Sequence, residues 1–212
     1  MKTTILFLAA ALSIGTALAD DARYTESMTK TIQLVYNAGT NEELLQAINV
    51  FDRIGGAEKT KWEPFYYASF GYVMLATREK VAVKKDSYLD QAKIAIDKAT
   101  AVRQNDSEIV AMEGFISMIR VTVDPAARGQ QYSGLAMQQF GKAVGLNPEN
   151  PRALALLAQM QFGTARFFNA STAEACATTS KAIEKFNTYK SDNELAPVWG
   201  KGMAEGLLKQ CQ

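Results

Sequence analysis

The side chains best able to do chemistry here are two cysteines, a few acidic pairs and one arginine-tyrosine cluster, because the chain contains no histidine. That absence removes the Ser-His and Cys-His nucleophile pairs, the usual proton shuttle near neutral pH and the commonest zinc ligand. Paired carboxylates or a lysine remain as possible catalytic groups, but the pairs have structural roles available. Asp20-Asp21 marks a new N-terminus, and Glu42-Glu43 opens a helix, where negative charge suits the dipole. Asn105-Asp106-Ser107-Glu108 lacks the alternating oxygen ligands of a calcium loop and reads as a helix cap. The expectation is a protein without catalytic residues, cofactor or metal. Cys176 and Cys211 lie near the C-terminus with no CxxC spacing, so they read as a disulfide, the alternative being two buried thiols.

The N-terminus supplies the compartment. Lys2, the apolar run Ile5 to Leu12 and the small-x-small Ala17-Leu18-Ala19 form a cleavable export signal over 1–19. The run is too short to anchor in a bilayer. Cleavage after Ala19 removes Lys2, one of 23 basic residues, and leaves the rest equal in number to the 22 acidic ones. A neutral chain does not carry the basic footprint of a nucleic-acid binder. The mature domain, 20–212, is long enough to bury one core, and its expected location is periplasmic or secreted.

Helices must position whatever functions here, since no segment shows sustained two-residue alternation. First helices open near Pro64, Ser107, Pro151 and Pro197, with small residues Gly71, Gly114, Ala158 and Ala204 at the eighth position. Partner helices place Ala47, Ala92, Ala136 and Ala175 at an equivalent small site, which lets facing backbones approach. Thr40-xx-Glu43 and Ser171-xx-Glu174 look like capping boxes. Ala92 to Gly114 and Ala136 to Ala158 are each 22 residues, a step that suits a repeat of about 34. Within a pair, Gly71 to Ala92 spans 21 and Gly114 to Ala136 spans 22, where about 12 would complete that repeat. The surplus is expected in long internal turns at 79–86 and 123–134. The second of these joins Asp124, Arg128 and Tyr132 with glycine hinges, a candidate functional loop.

Ala136, Phe140, Ala143 and Pro148, continuing into Leu154, Leu157 and Ala158, resemble the tetratricopeptide-repeat family. Ala92-Ile96-Ala99 and Ala47-Phe51-Ile54 are weaker copies. Trp62-Glu-Pro-Phe-Tyr-Tyr, Val123-Asp-Pro and Pro197-Val-Trp-Gly to Cys211 look like exported Bacteroidetes repeat proteins of unassigned function. The resemblance implies an all-α solenoid of about four antiparallel helix pairs with a C-terminal capping helix near 197–210. It also implies that first helices line a concave face that binds a protein or peptide. That face would present Phe65, Ala68, Tyr72 and Leu75, then Glu108, Ala111, Phe115 and Met118, then Arg152, Ala155, Gln159 and Phe162. Two alternatives stand beside it. N-terminal helices could fold over the face, or the aromatic run Tyr66, Tyr67, Phe70 and Tyr72 could bind a small molecule or glycan with the 123–134 loop.

If Cys176 and Cys211 are bonded, replacing both with serine is expected to cost about 3–4 kcal/mol through the loop they close. Chemical denaturation of the two proteins under non-reducing conditions measures the difference.

Overall fold

The computed structural model describes residues 5–211, with side chains described from Asp21 to Cys211. The leader assigned to 1–19 lies outside the described side chains. Among the described residues there are nine helices and no strand. They are α1 (Ile5–Asn37), α2 (Asn41–Ala57), α3 (Glu63–Arg78), α4 (Ala82–Val102), α5 (Ser107–Val121), α6 (Pro125–Leu146), α7 (Pro151–Phe167), α8 (Ala173–Thr188) and α9 (Lys201–Leu208). Successive helices pack antiparallel, α3 also packs on α5, and α5 on α7, so the first helices form one layer of an α-solenoid. None of the described helices is long and apolar enough to cross a membrane.

Local chemistry explains most helix starts. Thr40 and Glu43 form a reciprocal capping box on α2, with bonds of 3.1 and 3.0 Å. Asp106 accepts two backbone N–H groups at the start of α5, and Asn150 does the same for α7 ahead of Pro151. The Ser171-xx-Glu174 box does not form: Glu174 instead accepts from Gln161 of α7 at 2.8 Å.

The long internal turns expected at 79–86 and 123–134 are absent. Each connection is three residues, and the surplus lengthens the second helix, giving 21 residues in α4 and 22 in α6. Asp124 causes this in α6 by capping the Ala127 N–H at 3.0 Å, with Pro125 in the first turn. The glycines at 129 and 134 therefore sit inside a helix. At the other end, the helix expected to open at Pro197 begins only at Lys201. Residues 189–200 form neither helix nor strand and turn once at 194–195, and Gly200 ends them at φ +105°, a conformation that favours glycine.

The small-residue register serves two interfaces rather than one. A Cβ on Gly114 would collide with the Phe140 ring of α6, whereas one on Gly71 would meet Ile48 of α2 at 2.7 Å. Cys176 and Cys211 are bonded, tying α8 to the chain beyond α9. Because Phe140 is fully buried and cannot retreat, Gly114→Leu is expected to destabilise by about 1–3 kcal/mol. Gly134→Ala, exposed in α6 with open space at its Cβ, is expected to stabilise by about 0.5–1 kcal/mol. Urea denaturation of the pair checks both signs.

Candidate functional site

The inner face of the first helices is an aromatic groove, and residues 189–200, here called the strap, lie in it. Tyr36 of α1, Tyr66, Tyr67 and Phe70 of α3 and Phe115 of α5 form its wall. The Trp199 indole sits between Phe70 and Phe115, with ring centroids at 5.0 and 5.6 Å and interplanar angles of 34° and 23°. Its Nε1–H donates to the Tyr66 hydroxyl at 3.0 Å. The Tyr67 hydroxyl donates to the Leu195 carbonyl at 2.8 Å, and the Val198 N–H donates to the Tyr36 hydroxyl at 3.3 Å. Asn193 Nδ2 donates to Glu63 at 3.0 Å. Burial raises the pKa of Tyr36, Tyr66 and Tyr67, so these hydroxyls stay neutral and able to donate.

An ion pair anchors the start of the strap. Arg152 is fully buried, and its guanidinium donates from Nε at 3.0 and 2.8 Å, and from Nη2 at 2.6 Å, to the Glu108 carboxylate. Burial opposes the charge, yet the carboxylate more than offsets it and raises the Arg152 pKa. Nη1 has no hydrogen-bond partner, and the guanidinium carbon lies 4.5 Å from the centre of the Tyr189 ring, whose π face receives it. Asn150 sets this geometry. Its Oδ1 caps the Arg152 N–H at 2.9 Å while Nδ2 donates to the Ser107 hydroxyl at 2.9 Å, joining α7 to α5. Beside the pair, a cleft of about 580 Å³ opens between the 103–108 and 146–150 turns and the strap.

Of the candidates read from the sequence, Glu108, Phe115 and Arg152 face the groove or its rim, and Met118 is buried in the core. Phe65 points instead to Gly55 of α2 and lies under Lys98 of α4. Tyr72 is half-buried on the Asp52 side, Gln159 is exposed, and Phe162 packs beside Leu207 and the disulfide. Asp124, Arg128 and Tyr132 form no loop site. Arg128 pairs with Asp86 at 2.7 Å, and Tyr132 lies under Arg120, which also reaches Asp86. The alternative in which the N-terminal helices fold over the face is not what forms: Tyr36 of α1 joins the wall, and the C-terminal strap covers the face. Sequence reasoning does not single out Tyr36, and it quotes Trp199 within Pro197-Val-Trp-Gly for the resemblance without giving it a site role. The aromatic run 66–70 is the available signal for the groove, and the strap has only its lack of helical period.

No protein-family profile and no curated protein matches the chain. Among solved structures, it is similar to the HusA haemophore from Porphyromonas gingivalis, with a TM-score of 0.79 and 25% identity over 89% of this chain and 92% of that one. It also shares its fold with a thermophilic tetratricopeptide-repeat protein from Thermus thermophilus, at a TM-score of 0.55 and 19% identity over 93% and 97% of the two chains. The fold is thus a tetratricopeptide-like helical repeat, close to a Bacteroidetes protein.

Arg152→Met is expected to cost about 3–5 kcal/mol, because it strands the buried Glu108 carboxylate. Combining it with Glu108→Gln should recover part of that loss, which a double-mutant cycle in urea measures.

Proposed function

We propose that this chain is an exported, non-catalytic helical-repeat protein that binds a flat, largely apolar tetrapyrrole. The observation that carries the reading is the likeness to a haemophore across about nine-tenths of both chains. The aromatic groove supports it, because stacked rings and apolar walls suit a planar ligand. With no histidine in the chain, a haem iron would find no imidazole here. Affinity in this reading rests on ring stacking and on pairing the ligand's carboxylates with Lys190 at the cleft, where Arg103 is already paired with Asp106. Export to the periplasm or beyond is supported by the export signal expected at 1–19 and by the disulfide.

A second reading, a protein or peptide adaptor, is favoured by one observation. The groove already holds a non-helical stretch of polypeptide through side-chain bonds to its backbone, as a peptide-binding repeat would.

Titration of the oxidised protein with haemin and with metal-free protoporphyrin, followed by Soret absorbance, separates the two. Saturable binding with a dissociation constant of about 1 µM or below is expected for both, within about tenfold of each other. No spectral change with either, together with one protein recovered repeatedly from envelope extract, would favour the adaptor.

A further inference from the structure

We propose that the strap is a displaceable occupant of the ligand groove, and that the slot between Phe70 and Phe115 takes the flat ring of the ligand when Trp199 leaves. The ligand class rests on the tetrapyrrole reading; the release of the strap does not.

Four observations carry this. The Trp199 indole is itself a flat ring held between two others, with near-parallel stacking on Phe115. The slot therefore already has the width of one aromatic layer. Second, the strap's own structure is one local turn: Ala196 N–H donates to the Asn193 carbonyl at 3.0 Å, Leu195 N–H to Asn193 Oδ1 at 2.9 Å and Asn193 N–H to the Ser191 hydroxyl at 3.1 Å, with no helix or strand. It is held by hydroxyl and carboxylate tips of the groove wall, so it can open without melting a helix. Third, it is half outside, with Val198 66% exposed and Asp192 and Glu194 also exposed, while Leu195 and Pro197 are buried. That is the pattern of a cover rather than of a core segment. Fourth, both ends stay anchored. Thr188 belongs to α8, and α9 is held by the Cys176–Cys211 bond, so the strap can bow outward while its flanks remain docked. A stretch of twelve residues reaches roughly 40 Å when extended, ample to clear the groove.

Release has a chemical consequence. The hydroxyls of Tyr36, Tyr66 and Tyr67 each lose a strap partner at once. Tyr36 and Tyr66 lose donors and Tyr67 loses an acceptor, so a ligand that offers an acceptor to Tyr67 and donors to the other two is favoured over one that is merely greasy, since unpaired buried hydroxyls are costly. The strap also competes with the ligand, so the apparent affinity is the intrinsic affinity scaled by the open fraction.

The test uses the disulfide-intact protein and metal-free protoporphyrin. In the unliganded wild type, strap amides are expected to exchange about 100-fold faster than those of α3 and α5. Trp199→Ala should tighten protoporphyrin binding about tenfold or more, with Trp199→Phe in between. In a Trp62→Phe background, protoporphyrin should make the Trp199 fluorescence quenchable by acrylamide. Strap amides that exchange only with global unfolding would overturn the proposal, as would binding that leaves Trp199 shielded. Local strap exchange with no protoporphyrin binding to any variant would instead overturn the tetrapyrrole reading and support strap release alone.

Discussion

A guanidinium shut away from water organises the inner face of this protein. Arg152 has no exposed surface, and its charge is tolerable only because Glu108 meets it with both carboxylate oxygens and Tyr189 lies against its remaining face. Four separate parts of the chain must converge for this to hold. Glu108 comes from the start of α5, Arg152 from the start of α7, Tyr189 from the strap, and Gly200 brings the α9 end close to the Arg152 side chain. Two of those helix starts are themselves linked through Ser107 and Asn150. The pair thus fixes the spacing of adjacent repeats, and the aromatic groove inherits that spacing.

The outer layer is braced by different means. Lengthening α4 and α6 brings Asp86 between Arg120 of α5 and Arg128 of α6. Arg128 donates a hydrogen bond that, with Arg120, holds the Asp86 carboxyl below its ordinary pKa. This contribution is present above the usual aspartate range and fades as acid protonates the group. The network is partly open to solvent, so it guides the long helices more than it stabilises them. Apolar burial along Phe140, Ala136 and Ala143 does the greater part of the work there.

Helix number and most helix starts are readable from the sequence, because prolines, caps and small residues act locally. The details that differ each have a physical cause. Glycines at 129 and 134 suggest hinges, but Asp124 and Pro125 start a helix ahead of them and the helix tolerates both. Pro197 suits a first helical turn and an extended segment equally well, and only contacts with α1 and α3 decide between these. Those contacts join residues more than a hundred positions apart, which no local pattern records. The groove falls on the expected helices but is rotated on α3. Gly55 leaves a recess on α2 that accepts Phe65, and this turns Tyr66, Tyr67 and Phe70 inward.

The Cys176–Cys211 bond closes the last part of the chain into a covalent ring that includes the strap. A cover held in such a ring has a fixed effective concentration that dilution cannot lower. On the proposed reading, each departure of a guest would be followed by return of the same indole to the same slot. The aromatic wall would then not be left bare for long, and a bare wall of this kind invites aggregation. The staple that ends the solenoid would in that case also protect its empty state.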